Sequence, residues 1–147
     1  MKDSITIRLA QVLDAPGLLK LNDFFNGEGC NSLYAIENSL SSNKQEIVCI
    51  ATDKDALVGF CCGQIFKSMC YSINYGEITE LFVLESYRRQ GVASRLMLFI
   101  EAEFQKQEIN HFQLFTGKSN EAAQTFYRAL GYVESSKMLF RKRPEGE

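Results

Sequence analysis

Leu81-Phe82-Val83-Leu84-Glu85-Ser86-Tyr87-Arg88-Arg89-Gln90-Gly91-Val92-Ala93 decides how this chain is read. An apolar strand, Ile78–Leu84, runs into a short polar and basic loop, and an amphipathic helix begins at Gly91. A helix start presents several backbone N–H groups without intrahelical partners, at the positive end of the macrodipole. Gly91 lets the backbone approach a ligand closely, and Ala93 is nearly as small. Arg88 and Arg89 bring positive charge to the same place. The combination reads as a seat for a phosphate-bearing ligand. Its Arg-x-x-Gly-x-Ala spacing is not the GxGxxG of dinucleotide folds, and the chain holds no P-loop pattern.

Outward from this loop, hydrophobic periodicity orders the rest. Downstream, Val92, Leu96, Phe99, Ile100 and Phe104 form one stripe of a helix over Gly91–Gln107. Phe112–Thr116 reads as a strand, Asn120–Leu130 as a helix stopped by Gly131, and Val133–Arg141 as a last strand or strands. Upstream, Ile5–Leu9 alternates as a first strand, and Asp14 and Pro16 open a helix carrying Leu18, Leu21 and Phe25. Ser32 begins a second helix with Leu33, Ile36, Glu37 and Leu40. Glu46–Thr52, Ala56–Phe66 and Ile73–Leu84 are strand-like, the first two separated by the turn Asp53-Lys54-Asp55, and Lys67–Ser72 is a loop.

The 147 residues fit one domain spanning 1–147, and 46% hydrophobic content suffices for a core. A net charge of −2 provides no global basic field, so nucleic acid is not an expected partner. No apolar run approaches the roughly 18 residues of a membrane span. Met1-Lys2-Asp3-Ser4 does not read as a signal peptide. The five cysteines are odd in number and form no CxxC pair, which fits reduced thiols in a cytoplasmic protein.

The Arg88–Ala93 loop, flanked by a strand and a helix, resembles the acetyl-CoA pyrophosphate loop of the GNAT family, the Gcn5-related N-acetyltransferases. A second block, Asn120 to Tyr132, resembles that family's Asn-x-x-Ala-x-x-x-Tyr-x-x-x-Gly-Phe/Tyr pattern. The likeness covers Tyr75–Tyr132 well and the N-terminal half loosely. It implies an α/β (α+β) single-domain GNAT-like fold. Such a fold has a central twisted, mixed, mostly antiparallel sheet of six to seven strands flanked by about four helices. Two parallel central strands, here Ile73–Leu84 and Phe112–Thr116, would splay apart to admit the pantetheine arm.

Acetyl transfer to an amine makes three chemical demands. An alkylammonium of pKa about 10 is only ~0.1% neutral at pH 7, a cost of roughly 4 kcal/mol, so a proton must be taken. The tetrahedral oxyanion needs donors, and the leaving thiolate benefits from a general acid. The resemblance implies that backbone N–H groups of Leu81, Phe82 and Val83 serve the thioester carbonyl. Arg88, Arg89, Gln90, Gly91, Val92 and Ala93 would bind the pyrophosphate, with Ser94 and Arg95 in the first helical turn within reach of it. Tyr127 is the candidate acid, with a core aromatic as its other reading. Asn120 would touch the pantetheine amide or cap its helix. Glu80 and Glu77 are the candidate bases; three apart on a regular strand, they point to opposite faces unless a bulge intervenes.

The acceptor pocket is expected between the first two helices and the Lys67–Ile73 loop, where Asp23, Glu28 and Glu37 would suit a cationic amine. The implied cosubstrate is acetyl-CoA, the acceptor a small-molecule or peptide amine, and transfer direct in a ternary complex. The compact length and the Tyr75–Gly91 region look somewhat like aminoglycoside N-acetyltransferases. A non-catalytic acyl-CoA-binding module on the same fold is the alternative, and apolar edge strands would allow a homodimer. One histidine, His111, and scattered cysteines point to no metal site and no nucleophilic dyad, and Cys61 and Cys62 read as core.

Overall fold

Five segments rich in β-branched or apolar residues pair into one mixed sheet. The computed structural model describes residues 4–146. The strands are β1 (Ile5–Leu9), β2 (Glu46–Asp53), β3 (Ala56–Phe66), β4 (Tyr75–Val83) and β5 (Phe112–Leu114), in spatial order β1-β2-β3-β4-β5. The first four pair antiparallel, and β5 joins β4 in parallel. Helices α1 (Ala15–Asn26) and α2 (Leu33–Ser42) connect β1 to β2, and α3 (Val92–Lys106) connects β4 to β5. Residues up to Phe115 form one unit, and those from Thr116 onward form a second.

The first unit buries apolar side chains on both faces of the sheet. On one face, Leu96, Ile100 and Phe104 of α3 are fully buried. Phe104 fits because Gly63 and Gly76 leave it room: a Cβ on either would lie 2.5 Å or 2.8 Å from the Phe104 ring. On the other face, Leu18 and Leu21 of α1 pack with Ile50, Phe60 and Phe82. Each such side chain stabilises the fold by roughly 1.5–3 kcal/mol. Ser32 caps α2 as its position predicts, its hydroxyl accepting from the Ala35 N–H at 3.1 Å. Asp14 differs. It precedes α1 but accepts two hydrogen bonds from the Arg8 guanidinium, both at 2.8 Å, and one from the Gln11 N–H at 2.7 Å.

The second unit centres on α4 (Glu121–Ala129). The expected strand over Val133–Arg141 is absent, so the sheet has five strands among the described residues instead of six to seven. A strand needs a ladder partner as well as a pattern. Here Val133, Met138 and Phe140 are 88%, 75% and 85% exposed.

Candidate active site

The β4–α3 connection folds as a tight backbone cradle. Leu84 still donates to Val58 of β3, at 2.8 Å, and Glu85–Tyr87 then makes one 3-10 turn. Arg89 and Gly91 follow with φ of 62° and 81°. Two left-handed residues so close together reverse the chain sharply, and glycine adopts this conformation without a Cβ penalty. The first backbone bond of α3 runs from Arg95 to the Gly91 carbonyl, at 3.1 Å. The N–H groups of Val92, Ala93 and Ser94 precede it and have no intrahelical acceptor.

The side chains around this cradle brace it. Arg88 folds back, donating from Nε to the Val83 carbonyl at 2.8 Å and lying over the Phe82 ring. Gln90 donates to the Ser86 carbonyl at 3.1 Å, and Arg95 reaches the Ile5 carbonyl at 3.2 Å. Arg89 is exposed. Tyr87 donates its hydroxyl to Asp53 at 2.6 Å, and Ser4 donates to the other Asp53 oxygen at 2.5 Å. The hydrogen bond to the Asp53 carboxylate pushes the Tyr87 phenol above its ordinary pKa. No short sequence pattern signals this brace, because its members come from three separate segments.

Beside the cradle, β4 has a free edge. It pairs with β5 only at Gly76, Glu77 and Ile78, while its pairing with β3 continues to Val83. Thr79–Val83 therefore run past the end of β5, whose three residues are all paired. Leu84 turns its N–H to β3. Alternation then turns the backbone groups of Phe82 to β3 and those of Leu81 and Val83 to the free edge. The Phe82 ring packs against Phe25 and Phe60, at centroid distances of 5.1 Å and 6.1 Å.

A bulge decides where the two candidate bases point. Cys62 pairs with Glu80 but Gly63 pairs with Ile78, so Thr79 is an extra residue on β4. Gly76 and Ile78 lie on the α3 face, so Glu77 lies on the α1/α2 face. Past the bulge, Glu80 also lies on the α1/α2 face, with Cys62 and Phe82. Glu77 accepts from Gln113 of β5 at 2.9 Å, whereas Glu80 carries the Thr79 hydroxyl as a hydrogen-bond partner.

Glu80 opens onto a cavity of about 310 Å³. Its walls include Leu18, Asn22 and Asn26 of α1, Ser39 of α2, and Glu46, Cys62 and Glu80 of the sheet. Asp23, Glu28, Glu37 and the Lys67–Ile73 loop are not among its lining residues, contrary to expectation. Its acidic groups are Glu46 and Glu80. Burial, and next the partly opposing hydrogen bond from Ser39 and the charge of Glu80, leave the Glu46 carboxyl above its usual pKa.

Cys62 stands between these carboxylates and is only half-buried, unlike the fully buried Cys61. Burial and the charges of Glu46 and Glu80 raise its thiol well above the ordinary range. It is protonated and a poor nucleophile. One oxygen of each carboxylate and the Cys62 sulfur lie within 4.8 Å of one another, the grouping of potential metal donors among the described residues. A thiol so hard to ionise is a poor metal ligand.

In the second unit, Asn120 caps α4, accepting from the Ala123 N–H at 3.1 Å. Tyr127 makes edge contacts with Phe126 at 5.2 Å and Tyr132 at 6.1 Å. Gly131, at φ 97°, ends the helix, and Tyr132 donates back to the Tyr127 carbonyl at 3.1 Å.

The chain is similar to known proteins. The family model described as Acetyltransferase (GNAT) family matches residues 18–132. An uncharacterized N-acetyltransferase of Chlorobaculum tepidum is 27% identical over 137 residues, 93% of this chain and 81% of its own length. The catalytic subunit ard1 of the N-terminal acetyltransferase A complex of Schizosaccharomyces pombe is 31% identical over 124 residues, 83% of this chain and 69% of its own. The crystal structure of an aminoglycoside N-acetyltransferase in complex with CoA superposes with a TM-score of 0.83 at 20% identity, covering 95% of this chain and 94% of that one. Among the described residues no helix is long and apolar enough to cross a membrane. With the free β4 edge running into the start of α3, these matches show that the chain belongs to the GNAT family of N-acetyltransferases.

Proposed function

We propose that residues 1–147 act as one N-acetyltransferase domain that moves an acetyl group from acetyl-CoA to a primary amine held in the α1/α2 cavity. The observation that carries the reading is the continuity of β4. Its free edge, its terminal cradle and its cavity-facing Glu80 follow one another within sixteen residues, Thr79 to Ser94. Bound acetyl-CoA supplies an activated acyl thioester. The N–H groups of Val92, Ala93 and Ser94 hold its pyrophosphate, with Arg89 adding charge at the rim. The free-edge N–H groups of Leu81 and Val83 serve the thioester carbonyl, where negative charge develops. Phe82 shapes the pocket with its ring.

Glu80 takes the proton of the acceptor ammonium, directly or through one water. It stands just past the last β4–β5 pair, whereas Glu77 is engaged by Gln113 within the paired stretch. Tyr127 is the acid for the departing thiolate, a role supported by its place in the Asn120–Tyr132 block. A phenol near pKa 10 matches a thiolate of similar basicity, so proton transfer is nearly thermoneutral. The amine attacks directly, and the raised pKa of Cys62 argues against an acetyl-cysteine intermediate.

The test is acetyl-CoA turnover against aminoglycosides, polyamines, amino acids and short peptides, read by mass spectrometry of the products. Intersecting initial-velocity lines are expected for the accepted class. Tyr127→Phe should slow turnover by about tenfold or more with CoA affinity kept. Parallel lines with an acetylated protein would overturn direct transfer, and an unchanged rate in Tyr127→Phe would remove the acid role.

A further inference from the structure

We propose that Glu46 is a specificity-determining residue that holds a second amino group of the acceptor as an ammonium. The acceptor is then a small molecule with at least two amino groups. The inference rests on the acceptor-cavity reading above and deepens it.

Glu46 opens β2 opposite Gln64, and its carboxylate lines the cavity with Glu80. Neutral donors fix both of its oxygens: Ser39 donates to one at 3.1 Å, and Gln64 to the other at 3.2 Å. Among the described residues no lysine or arginine pairs with it, and none lines the cavity. A carboxylate oxygen of Glu80 lies within 4.8 Å of one of its own. A half-buried carboxylate facing a second carboxylate with no cationic side chain beside it is an unfavourable arrangement. A cationic ligand relieves it, and the raised pKa of Glu46 is the same imbalance seen from the proton's side.

The ammonium at Glu46 is not the nucleophile. An attacking nitrogen must shed its proton to Glu80, whereas a nitrogen held against Glu46, whose oxygens Ser39 and Gln64 fix, keeps it. Glu46 also stands two strands from β4, about 10 Å at ordinary strand spacing, while the free edge lies on the far side of β4. One nitrogen therefore reacts near Glu80, and another anchors the molecule at Glu46. A cavity of about 310 Å³ suits a small molecule. Linear polyamines and amino-substituted sugars share this chemistry.

The experiment compares 1,4-diaminobutane, 2-deoxystreptamine and butylamine as acceptors for the full chain and for Glu46→Gln, with calorimetry of each amine on the CoA-saturated protein. One of the two diamines should exceed butylamine by about thirtyfold in kcat/KM. Which one wins identifies the linear or the cyclic source. Glu46→Gln should reduce that preference about tenfold through KM, with kcat within twofold. Glu46→Asp, which keeps the charge, should restore part of it. Equal use of diamine and butylamine by the full chain, or an undiminished preference in Glu46→Gln, would overturn the proposal. If no amine turns over, the transfer reading fails, and calorimetry still decides this one. Diamine binding weakened about tenfold in Glu46→Gln upholds the anchor; equal binding in both proteins, or none in either, refutes it.

Discussion

The cradle from Leu84 to Ser94 and the cavity beneath α1 and α2 are built from different material. The cradle is backbone: positive-φ residues, helix N–H groups and carbonyls, with Arg88, Gln90 and Tyr87 as braces. The cavity is side chains drawn from β2, β3, β4 and both helices. A backbone site accepts many sequences and one ligand shape. A side-chain site can be retuned one residue at a time while the fold stays intact. This division suits an enzyme whose acyl donor is constant within a family and whose acceptor varies.

Substitutions can break the two regions apart. The largest effect is expected in the cavity. Glu80→Gln should lower kcat by about a hundredfold to a thousandfold with acetyl-CoA affinity unchanged, whereas Glu77→Gln should cost less than about tenfold. Steady-state kinetics would show the reverse order if Glu77 were the base. Next comes the cradle. Gly91→Asp places a charged side chain at φ 81°, beside an anion seat, and should weaken acetyl-CoA binding by about a hundredfold in calorimetry. Normal affinity in that variant would dissociate the loop from the donor.

Smaller effects test the braces. Tyr87→Phe removes the hydroxyl held by Asp53 and should raise the acetyl-CoA KM about three- to fivefold, with kcat and the acceptor KM little changed. A fall in kcat alone would place Tyr87 in the chemistry instead. Smallest is the Arg8–Asp14 pair ahead of α1. The Arg8 guanidinium holds the Asp14 carboxyl below its ordinary value of 3.8. A depressed folded pKa gives stability that is present above pH 3.8 and lost as pH falls through the lower folded value. Asp14→Asn should therefore cost about 1 kcal/mol at pH 7, given that Arg8 is partly exposed, and nothing once Asp14 is protonated. Paired melting curves at pH 7 and at stepwise lower pH below 3.8 would show whether the gap closes.

How legible each region was in the sequence follows from the same division. The cradle is local. Leu81–Ala93 contains its strand, turn, glycine and helix start, and the boundaries of α3 and α4 fall within a residue of the periodicity. The cavity depends on long-range register. Glu46 lies at the start of β2, beside a turn, and only its pairing with Gln64 and the folding of α2 over it reveal it as a cavity wall. The half-buried Asp23 and the exposed Glu28 read as pocket acids because helices and loops flanking a site look accessible in sequence, yet they do not line the cavity. Val133–Arg141 has strand-like composition, but composition cannot supply the neighbour that a ladder requires.

Thr79 carries a consequence for how this strand could change. Upstream of it the even-numbered residues Gly76 and Ile78 lie on the α3 face; downstream the odd-numbered Leu81 and Val83 do. The extra residue is a phase shift, and it sets the parity of everything between it and the cradle. Deleting Thr79 would remove the extra residue and bring Ile78, Glu80, Leu81 and Phe82 into regular alternation, each on the face it already holds and opposite the same β3 partner. A deletion between Leu81 and Val83 has no such slack: it would exchange faces there or pull on the turn that begins at Glu85. The bulge is thus a place where β4 can lose a residue while Glu80 keeps the cavity face.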